Sequence, residues 1–171
     1  MKNIKWVLLL LVFTSCSTAP SLTSYFVDTG VMQYFLPPTD WAAHGSGAKT
    51  PEANAQAKAR LDITFRTGTD TPATVNISFF GKSSIPRRIT AITLNGGSAV
   101  CPLENIGVLY PDPDKRELRI TAGGNRDALV STLETEPITL TAEIDGVLYT
   151  YTPDKHFIKI KNDFLTAISY F

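Results

Sequence analysis

The stretch ITLTAEIDGVLYTYT, residues 138–152, carries the clearest local signal in the chain. Its Asp145-Gly146 pair favours a two-residue type I′ turn, because both central residues of that turn need a positive φ. Apolar and polar residues alternate on both sides, as in strands that bury one face. The predicted register pairs Ile144 with Val147, Ala142 with Tyr149 and Leu140 with Tyr151 on one face, and Glu143 with Leu148 and Thr141 with Thr150 on the other.

Similar alternation precedes this hairpin. Every odd position from 53 to 65 is alanine or a larger apolar residue, which predicts a strand over residues 60–66. Over residues 52–59 an extended continuation is favoured, and a short helix opened by Thr50-Pro51 is the alternative. The other predicted strands are residues 31–36, closed by Pro37-Pro38, one within 73–82, one within 87–97, and two around the Pro/Asp turn of 106–124.

One helix is predicted within residues 125–136. Asn125 is a suitable N-cap, and Asp127 favours the first turn because the helix dipole is positive there. Leu129 and Leu133 are four residues apart and stack on one face. These residues predict an amphipathic helix between two strands.

The C-terminal sequence predicts a last strand that ends near Lys161. Residues 162–171 fit one helical face behind an Asn162 cap better than they fit alternation, so we expect a short helix or a docked tail there. Short strands separated by Gly, Pro, Asn and Asp predict a mainly β fold. We expect a single antiparallel β-sandwich, immunoglobulin-like or related, with at most one or two short helices.

The N-terminal residues have the layout of a secretory signal peptide. Lys2 and Lys5 precede an apolar run over residues 6–13, and no acidic residue precedes Asp28. A transmembrane helix needs about 20 apolar residues, so this run is too short to span a bilayer. Residues 1–15 are therefore predicted to be a cleaved leader.

The small residues Thr14 and Ser15 lead directly into Cys16. This resembles the lipobox of bacterial lipoproteins, although Phe13 stands where that motif usually has an aliphatic residue. The resemblance, which covers only residues 1 to about 18, implies that Cys16 carries a lipid and becomes the acylated first residue. Ordinary signal-peptidase cleavage, with Cys16 incidental, is the alternative.

The lipobox resemblance divides the chain into a leader of residues 1–15, a lipidated tether of 16–24, and a single β-rich domain of 25–171. It implies a membrane contact through the N-terminal lipid and a place in the cell envelope. Ser17 is not the aspartate that retains some lipoproteins at the inner membrane. The resemblance therefore favours an outer membrane where the host has one.

Composition argues against nucleic-acid binding. The chain has 16 basic and 16 acidic residues, and removal of the leader takes two lysines and no acid. The basic residues are scattered, with one adjacent pair at Arg87-Arg88. If Cys16 is lipidated, Cys101 has no disulfide partner, and its apolar neighbours predict a buried, inert thiol.

No catalytic or metal motif is found, and no cofactor is expected. His44 and His156 are the only histidines and lack other ligands at metal spacing. Trp41 near His44 is interpreted as loop packing. Asp112, Asp114 and Glu117 form the densest acidic cluster, but its spacing is not that of a calcium loop, and a solvated turn is the favoured interpretation.

The resulting functional hypothesis is a lipid-anchored, non-enzymatic module that binds or scaffolds another envelope component. Such a module acts through an edge strand or an exposed apolar patch. The alternative is a hydrolase or carbohydrate-binding protein whose carboxylates are brought together by folding. A concave cleft lined by two carboxylates and aromatic residues would favour that alternative.

Overall fold

The computed structural model describes residues 21–44, 58–82 and 84–170, which form nine strands and two helices. The described chain is mainly β, as predicted. The strands are β1 (Thr23–Asp28), β2 (Val31–His44), β3 (Lys58–Arg66), β4 (Ala73–Phe80), β5 (Ile89–Gly96), β6 (Ala99–Asp112), β7 (Glu117–Gly124), β8 (Ile138–Ile144) and β9 (Val147–Pro153), and the helices are α1 (Arg126–Glu134) and α2 (Lys155–Ile168).

The sheet closes into an eight-stranded antiparallel barrel with the strand order β2-β3-β4-β7-β6-β5-β8-β9. Strand β9 then pairs with β2, from Trp41 opposite Pro153 to His44 opposite Thr150. The predicted β-sandwich is therefore wrong. Alternation along each strand is the same in both folds, and only the pairing of β2 with β9 distinguishes them. These strands lie at opposite ends of the domain sequence, so local periodicity carries no signal of their pairing.

Side chains fill the barrel. The odd-numbered positions 59–65 of β3 are buried, and Val75, Ile77 and Phe79 of β4 are fully buried. The ring centroids of Phe79 and Tyr151 lie 5.8 Å apart across the interior. The alternation predicted for β3 and β4 is confirmed, because inward residues pack together while their neighbours face outward.

Both helices close the same end of the barrel, which we call the helix end. The α2 ring of Phe157 packs on Trp41 at 4.7 Å, and Phe164 packs on Phe65 at 5.1 Å. Helix α1 lies so close to Gly96 that a Cβ there would overlap the carbonyl oxygen of Thr132. The opposite end, which carries the β6–β7 and β8–β9 turns, is called the hairpin end.

The β8–β9 hairpin is confirmed in every predicted pair. Asp145 and Gly146 have φ values of 52° and 79°, as a type I′ turn requires. Strand β3 confirms the prediction for residues 60–66 and includes Lys58 and Ala59, whereas 52–57 lie outside the described residues.

The first predicted strand, residues 31–36, is only part of β2. Strand β2 continues through Pro37-Pro38 to His44, because a bulge between Leu36 and Thr39 accommodates the two prolines without ending the strand. An additional strand, β1, precedes it. Strand β1 includes Thr23 and Ser24, the last two residues of the predicted tether.

Helix α1 is confirmed, and the Asn125 side chain accepts a hydrogen bond from the Ala128 N–H at 3.0 Å. The predicted last strand ending near Lys161 is wrong, because α2 already begins at Lys155 behind an Asp154 cap. The local alternation of residues 156–161 resembles a strand. The longer pattern places Phe157, Ile160, Lys161 and Phe164 on one buried helical face, and Asn162 lies inside the helix rather than at its cap.

Candidate interaction surface

Strand β1 is the most exposed element of the described chain. All six of its residues are exposed, and it pairs only with β2 among the described strands. Three consecutive residues, Tyr25, Phe26 and Val27, present large apolar side chains, and Phe26 is 75% exposed. An unpaired strand edge with apolar side chains is a template for the addition of another strand.

The backbone directions in β1 follow from the contacts of Met32. Its N–H donates to Thr67 Oγ1 at 3.2 Å, and its carbonyl accepts from the Thr67 N–H at 2.9 Å. The backbone of Met32 therefore faces away from β1, which makes its pair with Phe26 a non-hydrogen-bonded one. The N–H and C=O of Phe26 point to the open edge, and alternation gives Ser24 the same direction.

The two faces of β1 differ. Tyr25 lies on the outer face, where the Gln33 amide donates to its hydroxyl. Arg66 Nε donates in turn to Gln33 Oε1 at 2.6 Å, so a short polar chain holds Tyr25 against β2 and β3. Phe26 lies on the opposite face beside Met32 and remains uncovered. A strand added to β1 would contact the Phe26 ring on one face and Tyr25 on the other.

Strand β6 provides a second open edge. It pairs with β5 only through Ala99–Pro102, so residues 103–112 have one unpaired edge among the described strands. Val108, Leu109 and Tyr110 are exposed there. Bulges interrupt the register on both sides of Gly107-Val108, and Pro111 has no N–H to donate. Bulges and proline are the usual protection of an edge strand against pairing.

Comparison of the chain with protein-family models, curated proteins and solved structures finds no match. The surface is therefore interpreted from its own geometry. No helix within the described ranges is long and apolar enough to cross a membrane.

A cleft of about 330 Å³ lies at the helix end, which we call the helix-end cleft. Its apolar part is formed by Val130 of α1 and Ile168 of α2. The Arg126 guanidinium lies 5.0 Å from the centroid of Phe65, and its buried Nε has no hydrogen-bond partner among the described residues. The remaining lining residues are Thr67, Gly68, Asp127, Ser131 and Glu134.

In the acidic cluster of the β6–β7 turn, the Asp112 carboxylate is bonded to groups of the turn itself. Asp112 Oδ1 accepts from the N–H groups of Asp114 and Lys115, at 3.1 and 3.2 Å. Lys115 Nζ lies 2.8 Å from Asp112 Oδ2, and this hydrogen bond holds the pKa of Asp112 below its usual value. Glu117 is buried at the start of β7. Within the described ranges, no group of three potential ligands is close enough to hold a metal ion.

The other predicted positions are dispersed. Cys16 lies outside the described residues. Cys101 is buried inside the barrel as expected, and burial raises the pKa of its thiol despite a contact with the Asn125 carbonyl. His156 is exposed on α2. The expectation of a loop at His44 is wrong: Trp41 and His44 both lie in β2, and Trp41 packs on Phe157 in the core.

A polar cluster on the outer face of β3, β4 and β7 was not predicted. Asp62 is only 2% exposed, and its Oδ2 lies 2.6 Å from Arg119 Nη2. The Asn76 amide donates to the other Asp62 oxygen at 2.7 Å, and Arg119 also donates to Ser78 Oγ. These contacts join three strands of the barrel wall between β1 and β6, so they stabilise the scaffold rather than form a binding site.

Strand β1 itself was not predicted either. Residues 25–35 place Asp28-Thr29-Gly30 between two apolar runs, and Gly30 has a φ of 74° in the turn. A glycine-containing turn between two β-rich runs is a hairpin signal. Strand β1 was therefore detectable, although its exposure was not.

Proposed function

We propose that the protein is a lipid-anchored, non-enzymatic binding module of the cell envelope that docks a partner protein by strand addition to β1. The observation that carries this proposal is the open edge at Ser24 and Phe26, flanked by the exposed Tyr25, Phe26 and Val27. In strand addition, backbone hydrogen bonds provide affinity and alternate side chains provide specificity. Both elements are present on β1.

The anchor and the docking strand are close in sequence. Leu22 packs against the core, so the domain is fixed from that residue onward. The six residue steps from Cys16 to Leu22 span at most about 21 Å when fully extended. Lipidation of Cys16 would therefore hold β1 near the membrane surface, in the outer membrane where the host has one. A partner embedded in or lying on the same membrane is within reach.

A hydrolase or carbohydrate-binding function is the alternative, and the helix-end cleft is the place where it would act. Asp127 and Glu134 line that cleft together with one aromatic residue. Both carboxylates are exposed, whereas a catalytic acid is usually kept in an apolar environment. Phe65 is 3% exposed and covered by Arg126, so its ring offers little surface for a sugar. These features weigh against the alternative.

Proline substitution on β1 tests the docking proposal. Ser24→Pro and Phe26→Pro each remove an N–H that points to the open edge, while the hydrogen bonds of β1 to β2 remain. We expect both variants to lose the partner that the wild-type lipidated protein co-purifies after cross-linking in native membranes. The thermal melting temperature should stay within a few degrees of wild type.

Phe26→Ala separates the backbone from the side chain, because it removes the ring and keeps the N–H. It should weaken partner capture less than Phe26→Pro. Capture of the same partner at wild-type yield by both proline variants, with β1 still ordered, would contradict the proposal.

A further inference from the structure

The helix-end cleft lies close enough to β1 to contact the same partner. An inference about the cleft therefore rests on the docking function proposed above. Phe26 pairs with Met32, and Met32 hydrogen-bonds to Thr67, which lines the cleft. Adjacent strands are about 4.8 Å apart, so Phe26 and Thr67 are separated by roughly 10 Å. The β1–β2 turn touches the cleft as well, because a Cβ at Gly68 would overlap the Gly30 carbonyl oxygen.

The cleft combines an apolar part with an acidic rim. Val130 and Ile168 are partly buried and face it, and its volume suits a single large side chain. Asp127 and Glu134 are exposed on its rim and form no ion pair with the described residues. Arg126 is the one basic residue that lines the cleft, and its guanidinium lies over the Phe65 ring in the cleft wall.

The surroundings of the cleft are acidic too. Asp28 ends β1 and Asp70 follows the turn at Gly68, and both are exposed. Arg66, at the end of β3, donates to Gln33 on the outer face of the sheet, and Lys161 of α2 is paired with Glu136. The Asp28 and Asp70 carboxylates and the two on the cleft rim form no ion pair with the described residues, and they favour a basic partner segment, because complementary charge steers and orients association.

We infer that the helix-end cleft binds an apolar side chain of the partner, carried on a basic segment that continues the strand added to β1. An extended chain advances about 3.3 Å per residue, so roughly four residues cover the distance from the open edge to the cleft. The partner class is therefore a protein with a β-forming segment followed closely by an apolar residue between lysines or arginines.

Two fluorescent synthetic peptides test this inference on the full-length lipidated protein in detergent. Both carry alternating threonine and valine, then a Gly-Ser spacer; one ends in Lys-Phe-Lys and its twin in Glu-Phe-Glu. Fluorescence anisotropy should show the basic peptide binding at least about tenfold more tightly than the acidic twin. Equal affinity of the two peptides, or no binding of the basic one, would overturn the inference.

Matched variants assign the preference to the cleft. Glu134→Lys should remove most of the tenfold preference, because it reverses a rim charge. Asp114→Lys makes the same change at the exposed turn of the hairpin end and should leave the preference intact. If both variants retain the preference, the cleft is not the site.

Phe26→Pro separates this inference from the docking proposal. It should weaken both peptides, because both use the same strand addition. If Phe26→Pro weakens them while Glu134→Lys changes nothing, the docking proposal stands and the cleft inference fails. In the opposite outcome, Glu134→Lys removes the preference while Phe26→Pro changes the affinity of neither peptide. The cleft then binds basic segments without strand addition to β1, and the inference as stated is refuted.

Discussion

Among the described residues, the open strand edges of β1 and β6 each carry three consecutive exposed apolar side chains, and the two edges differ in how well they are protected. On β6 the edge of residues 103–112 is interrupted by two bulges and contains Pro111. On β1 the register is regular from Thr23 to Phe26 and shifts once, between Phe26 and Asp28 beside the turn, and residues 23–28 include no proline and no lysine. Both edges carry exposed apolar side chains, so exposure alone does not distinguish them. The β1 edge is the one that can accept a further strand.

Exposed apolar side chains alone therefore do not identify a docking strand, and the hydrogen-bonding state of the backbone that carries them has to be considered as well. Val108 is 63% exposed, nearly as much as Phe26 at 75%. Phe26 ends a regular ladder of four residues with its N–H and C=O directed outward, whereas Val108 lies between two bulges. Most proteins protect such edges against aggregation, so the weaker protection of β1 supports the docking role proposed for it.

The largest effect is expected from the wall that separates the two edges. Asp62→Ala leaves Arg119 without its carboxylate partner and Asn76 without its acceptor, which should destabilise the fold by about 3 kcal/mol. Urea denaturation followed by circular dichroism measures this loss, with exposed Asp114→Ala as the control. A loss below about 0.5 kcal/mol would mean that the cluster does not hold β3, β4 and β7 together.

A matched pair of lysine substitutions compares the edges directly. Phe26→Lys should reduce partner binding at least about tenfold, since it puts a charge on the docking strand. Val108→Lys replaces a similarly exposed apolar residue on β6 and should leave binding within about twofold. Quantitative co-purification from cross-linked membranes measures both. A larger loss for Val108→Lys would reverse the assignment of the docking edge.

The seam where β9 meets β2 lies on the same edge of β2 that β1 uses. Tyr151 is fully buried there, and its hydroxyl has no hydrogen-bond partner among the described residues. Tyr151→Phe removes that unsatisfied group and should leave stability unchanged or raise it by up to about 1 kcal/mol. Thermal denaturation provides the measurement. A loss above about 1 kcal/mol would show that the hydroxyl is satisfied in solution.

The smallest effect concerns Asp40, between the parts of β2 that pair with β1 and β9. Burial acts to raise its pKa, but hydrogen bonds and charges from Lys58 and Arg60 outweigh it, and the pKa is lowered. A lowered pKa in the folded state adds stability above the ordinary carboxyl pKa of about 4, and this is lost as pH falls through the lowered value.

The Asp40→Asn variant measures this contribution. It should be less stable than wild type by under about 1 kcal/mol at pH 7, because the pairs are half exposed. The difference should shrink as pH falls below the ordinary carboxyl pKa of about 4 and then through the lowered pKa of folded Asp40. Thermal melts of both proteins from pH 7 to pH 3 provide the comparison, and a difference that grows on acidification would contradict the assignment.

The local parts of the fold could be predicted from the sequence because their signals are local. Asp145-Gly146 fixes its own hairpin, and Asn125 caps its own helix. Barrel closure depends on Trp41 meeting Pro153, and no pattern within either strand encodes that contact. The region 155–161 shows the converse, since a short alternation is overridden by the helical face that packs Phe157 and Phe164 on the core.

The candidate surface could be predicted only in kind. An edge strand or apolar patch was expected. The exposure of Phe26, however, depends on where every other strand and helix lies, which is a property of the whole fold. The helix-end cleft combines Thr67 of the β3–β4 loop with Val130 of α1 and Ile168 of α2. Such a combination appears only when the chain has folded.

Amide hydrogen exchange at single-residue resolution tests the docking edge most directly. The purified protein should exchange the Ser24 and Phe26 amides rapidly, because both point to the open edge. In native membranes, with the partner bound, both amides should become protected, while the amides of residues 108–110 in β6 remain unchanged. Unchanged exchange at Ser24 and Phe26 with new protection on β6 would contradict the account.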